Sequence, residues 1–275
     1  MSDVLKKIEL DDIEIPGMPD IALSVFALLE DDNCSIKKIE DVIFKDQSLT
    51  TTILKIANAP IYQTGKSVNT LYDAIMSIGL HNLLAIVSIA ALNNQLSNKN
   101  VDEHIFRHAM AVSGAATAFA LQVKGVKKEE ALVAGLLHDI GKTILCANAP
   151  EQYAEVKNTA TKEGRSFADV ENEKLGFNHC IVGSTLAKKW KLPRLYEFVI
   201  RNHHNNDFKD PLRPEHIVSY EDIMCYIVRV ADTAAFAANK GFGVSSETKL
   251  PQILSALKIQ KSAYDDVVNN LSAIA

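Results

Sequence analysis

Apolar residues return every three or four positions along most of this chain, a period that predicts helices almost throughout. From Pro19 to Glu30 the stripe is Ile21, Val25, Leu28 and Leu29. Ser35 is placed to cap a second helix, Ile36–Phe44, whose apolar face is Ile36, Ile39, Val42 and Ile43. Ser48 is expected to cap a third, with Leu49, Ile53, Leu54 and Ala57 inward and Asn58-Ala59-Pro60 as its stop. Thr70–Ile78 runs into Gly79, which reads as the glycine that ends a helix. His81–Leu96 contains the longest apolar run, Leu83–Leu92. So short a run cannot cross about 30 Å of hydrocarbon as a helix, so it predicts a buried core helix and no membrane span.

The second half continues in the same period. Helices are expected over Asp102–Gln122, Lys128–His138, Pro150–Glu163, Phe167–Leu175, Cys180–Trp190, Pro193–Asn202, Tyr220–Asn239 and Tyr264–Ile274. Pro211 and Pro214 bracket an irregular loop. No strand-like alternation persists for more than four residues. The expected fold is all-α, two packed helical bundles. The polar run from Leu96 to Val101 marks the boundary, giving an N-terminal part over 1–97 and a second subdomain over 98–275.

Composition narrows the function. The 275 residues carry 29 basic and 34 acidic side chains, a net charge of −5. That balance argues against nucleic acid, whose binding rests on neutralising phosphates. The densest basic clusters, Lys124-Lys127-Lys128 and Lys188-Lys189-Lys191, are short and read as solvated helix faces. Cys34, Cys146, Cys180 and Cys225 show no paired spacing, which suits a reducing cytosol better than a disulfide framework. The opening MSDVLKKIELDDIEIPG mixes charges and has no apolar core of a leader peptide, so a cytoplasmic protein is expected.

The chemistry lies in the eight histidines. Leu136-Leu137-His138-Asp139-Ile140-Gly141-Lys142 places His-Asp at the end of an apolar helix, with Gly141 expected to let the backbone leave it. Adjacent helical side chains diverge by about 100°, so His138 and Asp139 share one metal only at a helix end, or by bridging two ions. His108 lies on the stripe of Val112, Ala115 and Phe119, and His104 stands one turn earlier. His179 opens a helix six residues after Glu173, His203-His204 closes another, and Asp232 sits in the apolar VRVADTAAF. Taken singly, each has a plainer reading: a hydrogen-bonded core histidine, a helix C-cap for His203-His204, pairing of Asp232 with Arg229 or Arg201, and an ordinary terminal-turn cation for Lys142. His81 and His216 fall outside the pattern.

As a set, His108, His138-Asp139 and Asp232 resemble the H…HD…D ligands of HD-domain phosphohydrolases. The wider chain resembles the HD-related output domain, the HDOD family, over about Ile15 to Ala235. Ile15-Pro16-Gly17-Met18-Pro19-Asp20 resembles its LP-x-LP opening, Asp46 to Asn58 its DP-x-L-T…A-N-S element, and Asp73 to Gly79 its A-I-x-x-L-G turn. Gly135 to Lys142, then Glu173, Gly176, His179, Gly183, Trp190, Pro193 and His203-His204 follow its second half. Gln47 and Ala59 replace a common Pro and Ser. The second half is also similar to HD-GYP phosphodiesterases, but their G-Y-P segment is missing here, which removes one route to cyclic di-GMP.

The resemblance implies a bacterial signal-transduction or regulatory protein acting through a protein partner. The alternative it implies is a metal-dependent phosphohydrolase of a phosphate ester or nucleotide. It further implies one or two divalent transition ions (Fe, Mn, Zn or Ni). One ion would be held by His108, His138, Asp139 and Asp232. A second would be held by His179, His203 and His204 with Asp139 as the bridge. Lys142, with Asp139 the other catalytic candidate, would bind a phosphate oxygen.

Overall fold

The computed structural model describes residues 8–31, 33–58, 67–96, 101–204, 219–241 and 249–273. Among these, every regular element is helical. His216, the loop of Pro211 and Pro214, the His81 side chain and the polar residues 97–100 lie outside the described residues. No single described helix is long and apolar enough to cross a membrane. The chain forms two compact units, Gly17–Asn98 and Met1–Pro16 together with Lys99–Ala275.

The smaller unit holds α1 (Asp20–Leu29), α2 (Ile36–Ile43), α3 (Gln47–Ala57), α4 (Leu71–Ile78) and α5 (Leu80–Leu96). α5 is buried on all sides from Leu83 to Leu92, save the half-buried Leu84, and packs with α1, α3 and α4. Polar residues here serve the backbone. Ser35 accepts from the Lys38 N–H and Thr70 from the Asp73 N–H, satisfying first-turn donors. The third helix starts earlier than expected. Its cap is Asp46, which accepts from the Leu49 N–H at 2.9 Å, while the Ser48 hydroxyl donates to Asn94 Oδ1 at 3.1 Å. A carboxylate two residues upstream thus displaced the weaker hydroxyl. Asn58 ends that helix by bonding both backbone groups of Val68.

The larger unit begins before the smaller one. Glu14 N–H donates to Asn148 Oδ1 at 2.8 Å, and Trp190 Nε1–H donates to the Pro16 carbonyl at 3.1 Å. Lys189 Nζ adds a bond to the Ile15 carbonyl. The opening segment, expected with the first bundle, is therefore a strap on the second.

Its helices are α6 (Glu103–Ala120), α7 (Lys128–Leu137), α8 (Ile140–Asn148), α9 (Pro150–Glu163), α10 (Phe167–Leu175), α11 (His179–Lys189), α12 (Arg194–Asn202), α13 (Tyr220–Ala237), α14 (Leu250–Leu257) and α15 (Lys261–Ala273). α6 packs against α7 and α13, and α11 against α8 and α12. α8 and α14 were not expected. Gly141 reads as a helix breaker in the sequence, yet it lies inside α8 with an ordinary helical backbone. Its glycine identity answers a different need. A Cβ there would come within 1.9 Å of the His179 carbonyl oxygen, so only glycine lets α11 approach α8 this closely.

Candidate metal centre

The α7–α8 junction is the root of the site. α7 ends at Leu137, His138 follows as its cap, and Asp139 has φ −102° and ψ 12° as the residue that opens α8. This break in the backbone lets two adjacent side chains face one cavity, which a continuous helix would forbid. α6 supplies His108, the first residue of α11 is His179, His203 and His204 follow α12, and α13 supplies Asp232.

Asp139 stands at the centre, 1% exposed. Its two oxygens face different groups. Oδ2 lies 3.3 Å from His138 Nε2 and 3.5 Å from His108 Nε2. His108 Nε2 in turn lies 3.0 Å from Asp232 Oδ1. Oδ1 lies 3.3 Å from His179 Nε2 and 3.5 Å from His203 Nε2. His179 and His203 approach each other, Nε2 to Nε2, at 3.4 Å. His204, half-buried, joins this second group, with its ring centroid 4.3 Å from that of His203. All seven residues singled out as ligands by the sequence therefore lie together, as the groups Asp139-His179-His203-His204 and His108-His138-Asp232, with Asp139 Oδ2 also facing the second. His104 does not; it is exposed, and its backbone N–H bonds Asp102.

The outer nitrogens fix the histidine tautomers. His108 Nδ1 meets the Lys240 carbonyl at 3.1 Å, His138 Nδ1 the Gly135 carbonyl at 2.7 Å and His203 Nδ1 the Ile200 carbonyl at 2.9 Å. His179 Nδ1 meets Glu171 Oε2 at 2.6 Å. A carbonyl oxygen can only accept, so each of these Nδ1 atoms carries the proton. With Nδ1 so engaged, each ring turns its Nε2 inward, toward carboxylate oxygens. His108 Nε2, His138 Nε2, Asp139 Oδ1 and Asp232 Oδ1 are buried without a hydrogen-bond partner. The 3.0 Å between His108 and Asp232 thus lacks hydrogen-bond alignment. Lone pairs held face to face away from water repel one another unless a cation lies between them. Donors about 2.1 Å from a common ion are themselves separated by roughly 3.0–3.4 Å, which matches the spacings here.

Electrostatics agree. Burial would raise the pKa of Asp139, but the neighbouring His138 ring and the Lys142 ammonium outweigh it and hold the carboxyl well below the usual range. Burial works against a charge on Lys142, yet Asp139 and Asp232 raise its pKa. Burial likewise opposes a charge on His203, and the Cys180 sulfur and Asp139 raise its pKa. His204 goes the other way: burial, with His203, His179 and Lys142 beside it, holds its pKa well below the usual value.

Lys142 is not the ordinary helix-end cation of the plainer reading. It sits in the first turn of α8, where the helix dipole disfavours a cation. Its Nζ bonds Asp139 Oδ2 at 2.7 Å and lies 4.9 Å from the centre of the Phe167 ring. Asp232 meets His108, and Arg229 stacks on Tyr226 instead.

One buried residue escaped the sequence reading. Glu173, named there, is exposed and pairs with Arg165 at 2.7 Å. The neighbour that reaches the site is Glu171, completely buried, where His179 counters the penalty of burial and lowers its pKa. The sequence carried a signal for it: Phe167, Ala168, Val170 and Leu175 define the buried face of α10, and Glu171 lies on that face.

The sequence model of the HDOD domain matches residues 15–206. No curated protein matches the sequence. Solved structures do match. An HDOD domain protein of unknown function from Geobacter sulfurreducens is 23% identical, with a TM-score of 0.66, over 94% of this chain and 84% of its own. A protein from Marinobacter aquaeolei VT8, provisionally described as a signal transduction protein, is 18% identical with a TM-score of 0.70. The match covers 97% of this chain but 59% of that one, so this chain spans little more than half of that relative. A Shewanella amazonensis SB2B protein, provisionally described as a metal-dependent phosphohydrolase, is 20% identical with a TM-score of 0.65, over 96% of this chain and 93% of its own. At these identities the likeness is one of fold.

Proposed function

The chain belongs to the HDOD family, and from that premise we propose that it is a bacterial signal-transduction or regulatory protein whose larger unit holds divalent transition metal. The carrying observation is the set of four buried imidazoles whose Nδ1 atoms face outer acceptors and whose Nε2 atoms converge on Asp139. His108, His138, Asp139 and Asp232 would hold one ion; Asp139, His179, His203 and His204 would hold a second. Imidazole and carboxylate donors suit Fe, Mn, Zn or Ni. Two observations favour a regulatory role over turnover. The family match begins at residue 15 and includes the whole smaller unit, where no described cluster of metal-ligating residues occurs. The donors of the larger unit are also almost fully withdrawn from solvent: His108, His138, Asp139, His179 and His203 are each 2% exposed or less. The output would pass to a protein partner.

The test is elemental analysis of protein purified without chelator. One or two transition ions per chain are expected. No metal, with none taken up on reconstitution, overturns the reading.

A second reading, a metal-dependent phosphohydrolase of a phosphate ester or nucleotide, is favoured by the division of Asp139's oxygens between two donor groups. Divalent ions there would supply Lewis-acid polarisation of a phosphoryl oxygen and a lowered water pKa. The chain's own contribution would be to keep the imidazoles neutral and oriented, and to shield the site from bulk water. Lys142, bound to Asp139, would turn its ammonium toward a phosphate oxygen. Metal-dependent phosphate release from a panel of nucleotides and phosphate esters would establish this reading; its absence leaves the regulatory one.

A further inference from the structure

Among the four buried imidazoles with a fixed Nδ1 proton, three give it to a neutral backbone carbonyl. His179 gives it to a carboxylate, Glu171 Oε2, at 2.6 Å. The same oxygen also accepts the backbone N–H of His179 at 2.8 Å. Ring and main chain of one residue are thus clamped by one atom, which leaves the imidazole little freedom to turn. The other carboxylate oxygen, Oε1, accepts the Tyr153 hydroxyl at 3.0 Å. Glu171 and His179 are completely buried, and Tyr153 is 2% exposed.

The two donor groups differ in charge. Both share Asp139. The first has a carboxylate of its own, Asp232, among its donors. The second consists otherwise of His179, His203 and His204, all uncharged as ligands. We propose that Glu171 is a positioning residue for the second ion, supplying through the His179 ring the negative charge that Asp232 supplies directly to the first. This rests on the metal reading above. A buried carboxylate is costly unless opposite charge lies near it. A proton donated to Glu171 strengthens His179 Nε2 as a ligand, so the carboxylate and the ion stabilise each other across the ring. Tyr153 holds the far oxygen and so limits rotation of the carboxylate.

The probe is Mn(II) titrated into the full-length protein, with binding followed calorimetrically and the bound ions by electron paramagnetic resonance. The wild type should take up two ions and show a spin-coupled pair. Glu171→Gln keeps volume and a hydrogen-bond acceptor but removes the charge. It should leave the first ion within about twofold and weaken the second by about 10–100-fold, with uncoupled Mn(II) replacing the pair spectrum. Asp232→Asn should weaken the other site. Tyr153→Phe, which keeps both carboxylate and clamp, should weaken the second ion a few-fold and supplies the answer if Glu171→Gln does not fold. Unchanged second-ion binding in the folded variants, or uptake of one ion only by the wild type, overturns the inference. Uptake of none overturns the metal reading itself.

Discussion

In the smaller unit the buried polar side chains among the described residues are Asn82 and Ser88, both uncharged. The larger unit encloses Asp139, Lys142, Glu171 and Asp232 with four histidines. The smaller unit spends its polar groups at helix ends, where Ser35, Asp46 and Thr70 satisfy backbone donors at the surface. Its core is held chiefly by apolar burial, with no buried charge among the described residues. The larger unit places charges where desolvation costs most, and several inward-facing atoms there have no hydrogen-bond partner. Burial of that kind does not arise from the need to fold. The difference separates a unit held by apolar packing from one that encloses a cluster of charged and metal-ligating side chains.

The largest expected effect comes from the atom pair shared by both donor groups. Asp139→Ala should abolish metal uptake and, by removing the carboxylate partner of buried Lys142, destabilise the apo protein by about 3–5 kcal/mol in denaturant unfolding. Full metal content in that variant would break the comparison. Ile53→Ala, at a completely buried position of the smaller unit, should cost about 2–5 kcal/mol by cavity formation yet leave metal stoichiometry intact. Loss of metal from it would show that the two units are not independent in this respect.

Chelation sharpens the contrast. Free metal at a hundred times its dissociation constant stabilises by about 2.7 kcal/mol, so EDTA should lower protection from hydrogen exchange in α6, α8, α11 and α13 and spare α1 to α5. Gly141→Ala places a methyl against the His179 carbonyl. A cost of about 1–3 kcal/mol is expected from such overpacking, together with weakened metal binding because His179 must shift.

The smallest effect concerns a rim charge. Asp102 is partly desolvated, which raises its pKa, but Lys157 and the His104 N–H outweigh this and hold it below its usual value. A carboxyl with a lowered native pKa contributes its stability above an unfolded value of about 3.9 and loses it as pH falls through the native one. Lys157→Met should flatten the acid limb of the stability curve slightly, since both side chains are partly exposed. A slope unchanged by the substitution would remove this pair from the account.

Most helices were legible because an amphipathic stripe is a strong signal, and α9 and α10 run between the residues expected. Two failures share a cause. Gly141 was read for its own backbone freedom, whereas its role is set by α11, some forty residues later in sequence. Glu173 was chosen by its spacing from His179, whereas the face of α10 decides which glutamate turns inward. Periodicity is local and legible; close approach between distant segments is not. The candidate donors were readable as residue types. The helix end at His138-Asp139 and a bridging Asp139 are also expected from the sequence; which of its two oxygens faces which donors is set by the backbone break between α7 and α8, which no spacing displays.

The strap of residues 9–16 sets an order of events during synthesis. Its partners Asn148 and Trp190 lie 134 and 174 positions downstream. A polypeptide elongating at roughly 5–20 residues per second delivers Trp190 only about 9–35 s after Pro16 has been made. The smaller unit, continuous in the chain, meets all its own partners well before then. It therefore condenses first, and the larger unit is closed afterwards from both ends, with its earliest residues among the last to be fastened.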